Sequence, residues 1–324
     1  MTAPGFDVLT MGRVSVDLYP EQSGVALADV RTFAKSLGGS PTNVAVAAAR
    51  LGRTSGVITQ VGADGFGDYV RKALRDFGVD DRFVGTDPTL RTPLVFCELH
   101  PPDHFPLLFY RQPTAPDINL RLDRLDLDAV QRARIFWTTG TGLSDEPSRT
   151  ATLGALEARA RQGITIHDLD FRRSLWPQPD SAGACQRCAL KLATVAIGNL
   201  EEASVAVGEA SPEMVARRLL NLGPRLAIVK LGERGVVVAW EGETARVEPV
   251  PVEVVNGLGA GDAFGGAVCH GLLAGWDPVR VVRFAAAAGA FVAARLACAD
   301  AMPTVPEVLG LLEWAESPHG ERHS

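Results

Sequence analysis

The chain has 324 residues, 46% of them hydrophobic and 22% charged, which is enough to bury one large core. Its net charge of −6 leaves no basic excess for a nucleic-acid partner or an anionic membrane surface. The first residues lack the basic start and apolar run of a signal peptide, no window approaches a membrane span of roughly 18 apolar residues, and five scattered cysteines read as reduced thiols of a cytoplasmic protein.

Along the chain, apolar runs of strand length alternate with longer helical patterns. Strands are expected near 7–11, 56–61, 135–139, 164–168, 195–198 and 226–230, and helices near 42–51, 67–77, 148–162 and 212–222. This alternation predicts an α/β fold whose largely parallel sheet is covered on both faces. Residues 12–37 and 91–118 break the rhythm, and 91–111 read as two strands joined by a Pro-rich turn. Both interruptions fit a small sheet set beside the main body as a lid. Beyond Val254 the pattern turns helical, near 261–274, 278–296 and 306–315. A single domain is therefore expected over 1–316, with a disordered tail at 317–324.

Five stretches carry candidate chemistry. In "LGGSPTNVAVAAARLG" (37–52), Ser40 can cap a buried helix and Pro41 fits its first turn. One glycine would make the turn; the pair Gly38-Gly39 suggests a ligand touching the backbone. Asn43, inside that buried helix, needs hydrogen-bond partners, from a ligand or from the protein. In "IHDLDFRRSLW" (166–176), Asp168 and Asp170 follow a strand, where α/β enzymes bind ligands, although an Asp–Arg surface cluster explains them too. Cys185 and Cys188 lack two further ligands for zinc and read as incidental helix residues.

In "IGNLEEA", Asn199 and Glu202 lie three apart at a helix start. They suit either a water-bridged Mg²⁺ or a capping box. "VKLGERGV" places Lys230, Gly232 and Gly235 around a tight turn. Finally, "NGLGAGDAFGG" (256–266) is neither a dinucleotide fingerprint nor a Walker A loop. It feeds a helix whose first N–H groups, at Ala260, Gly261 and Asp262, would face an anion such as a phosphoryl group. The same helix end should lower the pKa of Asp262, and a plain Asp N-cap is the alternative.

The order of these segments resembles the ribokinase-like (PfkB) carbohydrate kinases over nearly the whole chain. "VGADGFGDYVRKALRDFGVD" (61–80) is also similar to that family's second helical segment. The resemblance implies an α-β-α sandwich with a β lid and ATP-dependent phosphorylation of a sugar hydroxyl. It implies Asp262 as base, Gly259, Ala260 and Gly261 as anion hole, and Asn199 with Glu202 organising Mg²⁺ and phosphates. It places Lys230, Gly232, Gly235, Asn256 and Ala286 near the nucleotide, and Asp17, Gly38, Gly39 and Asn43 near the sugar.

Two departures stand out. Asn256-Gly257 replaces the family's frequent Asp-Thr, whose Asp helps hold a potassium ion, so K⁺ activation is in doubt. Ala286 stands where an Asn is frequent, which leaves apolar adenine contacts. "DFRRSLW" resembles the keto-deoxy-gluconate kinases, implying Asp170 and Arg172 near an acid sugar. "GRVSVDLYPEQ" and "FPLLFYRQPTAPD" look like the 5-dehydro-2-deoxygluconokinases of inositol catabolism, with Arg13, Tyr110 and Arg111 toward a carboxylate. The partners implied are MgATP and a sugar acid, with a lid-paired homodimer as a further expectation. A 2-keto-3-deoxygluconate kinase, a fructokinase-type enzyme and a non-catalytic sugar sensor are the alternatives.

Overall fold

The computed structural model describes residues 5–317. Of the expected tail, residues 318–324 lie outside the described residues. Fourteen strands occur among the described residues. In chain order they begin β1 (Val8–Met11), β2 (Ser15–Pro20), β3 (Phe33–Gly38), β4 (Ser55–Gly62), β5 (Val79–Asp80), β6 (Val84–Asp87) and β7 (Leu94–Cys97). They continue with β8 (Leu107–Tyr110), β9 (Ile135–Thr139), β10 (Ile164–Asp168), β11 (Val195–Asn199), β12 (Leu226–Lys230), β13 (Val236–Trp240) and β14 (Glu243–Val247).

Ten of them form one sheet in the order β14-β13-β12-β11-β10-β9-β1-β4-β5, with β6 also paired to β4. From β12 to β5 every pairing is parallel, and β13 and β14 extend that edge antiparallel. The remaining four strands form a small sheet, β3-β2-β7-β8. They come from the two stretches that interrupt the α/β rhythm.

The central strands read as unbroken apolar runs because helices cover both faces. Val8, Ile135, Trp137 and Ile166 pack with Val44, Phe264, Val268 and Val281 on one side. Leu9, Met11 and Phe136 pack with Val130, Ala151, Leu156 and Ala189 on the other. The first side is built from helices Ser40–Arg50, Ala260–Leu273 and Pro278–Ala293. The second uses Leu127–Arg132, Ser148–Arg159 and Ala182–Leu192; the last of these carries Cys185 and Cys188 as free thiols.

Two glycines fix the first layer. A Cβ on Gly266 would sit 2.3 Å from the Ala47 Cβ, and one on Gly265 would sit 2.7 Å from the Trp137 ring. The glycines that follow Asp262 therefore serve helix packing, not ligand access. Gly266→Ala should destabilise the fold by about 1–3 kcal/mol through overpacking. Gly310→Ala, in an exposed helix with open space around it, should stabilise by up to about 1 kcal/mol. Thermal unfolding of the two variants beside the parent checks both signs.

Candidate active site

The parallel strands deliver polar residues to a single rim. Asp168, Asn199 and Lys230 end β10, β11 and β12, and Asn199 pairs directly with Lys230 in the ladder. The capping box at Asn199 is present. Its Oδ1 accepts the Glu202 N–H at 2.8 Å, and Glu202 Oε2 accepts the Asn199 N–H at 2.8 Å. That leaves Glu202 Oε1 facing the Arg172 guanidinium at 3.4 Å. Arg172 also reaches Asp170 at 3.5 Å, so one half-exposed cation spans two buried carboxylates.

Charge is tightly balanced here. Burial pushes the Asp168 carboxyl up, against the pull of Lys230. Burial opposes the Asp170 charge too, but Arg172, Arg13 and the Thr141 hydroxyl (2.9 Å) hold that carboxyl below its ordinary value. Burial likewise opposes the Lys230 charge, and Asp168, Glu202 and Asp262 outweigh it, keeping the ammonium's pKa above the usual lysine range.

Across the cleft lies the start of helix Ala260–Leu273. Gly259 is its N-cap, with φ of 83° in the left-handed region that glycine tolerates. The Asp262 N–H turns back onto the Gly259 carbonyl at 3.1 Å. Among the described residues, the N–H groups of Gly259, Ala260 and Gly261 have no backbone acceptor, so Asp262, of the first helical N–H groups, is the one already engaged. A side chain on Gly261 would come within 3.3 Å of Lys230 Nζ, which brings the ammonium up against those donors.

Asp262 is a third-position helical residue, not the cap. Its Oδ2 accepts from Asn43 Nδ2 at 2.8 Å. The expected fall in its pKa does not occur. Burial raises it, the hydrogen bonds from Asn43 and Ser40 offset this only in part, and the charge of Asp170 raises it further. The recessed carboxylate is thus a stronger base than helix position alone would give.

The glycine pair at 38–39 has an intrachain explanation. A Cβ on Gly38 would fall 2.0 Å from Asp17 Oδ1, and one on Gly39 2.5 Å from the Arg13 carbonyl. Gly39 (φ 99°), not Ser40, is the N-cap of helix Ser40–Arg50. Asp17 lies over Gly38, accepts from Ser15 at 2.7 Å, and is pushed up to about 6 by burial. Arg13 stands 3.8 Å from Asp170, and its Nε has no hydrogen-bond partner.

The other sequence candidates differ in burial and partners. Arg111 forms a buried ion pair with Asp117 at 2.6 Å, and Tyr110 is 60% exposed, packed on Phe96. Asn256 is fully buried and uses both ends of its amide internally, so it does not line the nucleotide side. Gly235 is required by β14: its Cβ would meet the Val247 carbonyl at 2.2 Å. Gly232 is exposed with open space about it, and Ala286 is half-buried in helix Pro278–Ala293. Thr141 was missed; its signal was a polar residue two positions past an apolar strand, the same signal that marks Asp170.

Residues 6–305 match the pfkB family of carbohydrate kinases. The chain belongs to that family. It is 32% identical over 323 residues to a 5-dehydro-2-deoxygluconokinase of Clostridium tetani, covering 97% of this chain and 95% of the relative. A relative of the same name from Shouchella clausii is 31% identical, covering 95% of this chain and 96% of its own. Among solved structures, a putative ribokinase II from E. coli in complex with ATP and Mg²⁺ superposes with a TM-score of 0.86 at 25% identity, covering 95% of this chain and 99% of its own. A fructokinase double mutant from Vibrio cholerae, in a fructose, ADP and potassium ion bound form, gives 0.85 at 27% identity, covering 96% and 100%. The pfkB kinase is thus a phosphotransferase acting on a sugar hydroxyl.

Within this kinase, Gly38→Ala would drive the Asp17 carboxylate from its seat. We expect kcat/KM for the sugar to fall by about 100-fold through mispositioning. Nucleotide affinity, followed by calorimetry with ADP, should be unchanged.

Proposed function

We propose that the chain phosphorylates the C6 hydroxyl of a sugar acid, with 5-dehydro-2-deoxy-D-gluconate as the substrate that fits best. The observation that carries this reading is Arg13. Its side chain is 11% exposed, and its Nε, 3.8 Å from Asp170, makes no hydrogen bond. Its charge also bears on Asp17 and Asp262. A guanidinium so placed suits a substrate carboxylate. The names of the relatives, matched over almost their full length, support the same substrate.

In this mechanism Asp262 takes the hydroxyl proton as the oxygen attacks the γ-phosphorus of ATP, and the bond to the β-phosphate oxygen breaks to release ADP. The Ala260 and Gly261 N–H groups and Lys230 stabilise the charge of the transferring group. Asp17 and Asn43 orient the sugar. Among the described residues, no cluster of three side chains is spaced to cage a metal. The single buried carboxylate of Glu202 fits Mg²⁺ bound through water and phosphates. When bound, Mg²⁺ neutralises phosphate charge.

Asp262→Asn should lower kcat by about 10²–10⁴-fold. An ADP-release panel should rank 5-dehydro-2-deoxygluconate above 2-keto-3-deoxygluconate and fructose, and Arg13→Ala should narrow that ranking. Fructose ranking first would overturn the sugar-acid reading, and near-normal turnover by Asp262→Asn would overturn the base.

The base works only when ionised, so activity falls as pH drops through the Asp262 pKa. Asn43 stabilises the charged form, and Asn43→Ala should move this acid limb of the kcat/KM profile to higher pH. An unmoved limb would dissociate the Asn43 bond from the base.

A further inference from the structure

The glycine loop must be held rigidly, since its N–H groups act only if they are already in place when charge develops. It carries little side chain of its own, so its support comes from outside. Phe105 covers Gly257, where a Cβ would come within 3.0 Å of the ring. Cys298 packs on Gly259, where a Cβ would come within 2.6 Å of its Sγ.

The remaining support is Asn256, which is 0% exposed. Its Nδ2 donates to the Leu296 carbonyl at 2.6 Å, and its Oδ1 accepts the Leu258 N–H at 3.0 Å. Beside it, the N–H groups of Val255 and Asn256 both donate to the Ala293 carbonyl, at 2.8 and 3.0 Å. Ala293 ends helix Pro278–Ala293. The carbonyls at and beyond a helix C-terminus lack intrahelical donors and carry the negative end of the helix dipole. Such a set of buried oxygens suits a cation. In this chain N–H donors already occupy them, and the Asn256 amide presents a hydrogen where a cation site would present an oxygen. The residues here do not fit the K⁺ that the family resemblance implies.

We propose that Asn256 is the positioning residue of the glycine loop, and that its side-chain amide replaces a monovalent cation, so that turnover needs none. A carboxylate at this position could not do the same. It has no N–H to give, and it would set a charged oxygen against the Leu296 carbonyl. A cation between the two would then be required.

The test measures ADP release from the full chain in choline, sodium and potassium chloride at equal ionic strength, together with the melting temperature of the nucleotide-free protein. Wild-type kcat should stay within about twofold across the salts, with no K⁺-dependent melting shift. Asn256→Asp should lose about tenfold or more in choline, as expected for a buried acceptor left unsatisfied. It should regain most of that in K⁺ and melt at a higher temperature there. Asn256→Ala should show the loss without the recovery. Wild-type turnover that falls more than about tenfold in choline overturns the proposal, as does an Asp variant equal to wild type in that salt. If the Asp variant folds in neither salt, the wild-type series alone decides. A protein inactive toward every sugar but folded still reports through melting, which separates failure of this proposal from failure of the substrate assignment.

Discussion

The hydrogen bond from Asn43 to Asp262 joins residues 219 positions apart, and the geometry of the cleft depends on it. It exists because two helices approach unusually closely. Gly266 lets helix Ala260–Leu273 lie against Ala47, and Gly265 lets it settle on Trp137. Once that distance is set, the first turns of both helices meet at the strand rim. Asp262 then faces Lys230 and Asp170, just past β10, and Asp17 and Gly38 lie beside the start of the partner helix. A shift of either helix would disturb the contact between Asp262 and Asn43.

The cleft is a problem in charge as much as in shape. Asp17, Asp168, Asp170, Glu202 and Asp262 crowd around Arg13, Arg172 and Lys230. Burial raises Asp17, Asp168 and Asp262 despite the cations that act on them, whereas Arg172 and Arg13 hold Asp170 below its ordinary value. The arrangement therefore contains carboxyls of different basicity within one pocket. Arg172 occupies the Oε1 face of Glu202, the oxygen that the capping box leaves free.

Much of this was legible in the sequence. The strand runs at 135–139, 164–168 and 226–230 coincide with β9, β10 and β12, because strands covered on both faces leave an unmistakable apolar signature. The capping box at Asn199 and the helical placement of Cys185 and Cys188 were also readable from local pattern. What local pattern could not supply was the partner of each polar group. Gly38-Gly39 looked like ligand clearance and proved to be clearance for Asp17 and for the Arg13 carbonyl. Arg111, expected to face a substrate carboxylate, is paired with Asp117, six residues on, while its Nη1 has no hydrogen-bond partner. The Asp262 basicity departs from the local expectation because a helix end is a local feature, whereas burial and the charge of Asp170 come from parts of the chain far away in sequence.

The small sheet is tied to the main body in an unusual way. Only Gly12, Arg13 and Val14 separate β1 from β2, and only Gly39 separates β3 from the helix that carries Asn43. Gly12 and Gly39 both have positive φ, 144° and 99°, and Gly39 touches the Arg13 carbonyl and the Val14 backbone. These two of the sheet's four connections therefore run side by side and form an axle, with Arg13 mounted on it and Asp17 just beyond. Any tilt of the sheet about that axle carries the guanidinium and the carboxylate through one arc. Under the proposed function, closing over the sugar and aligning these two charged groups would then be the same movement, with no separate search for each.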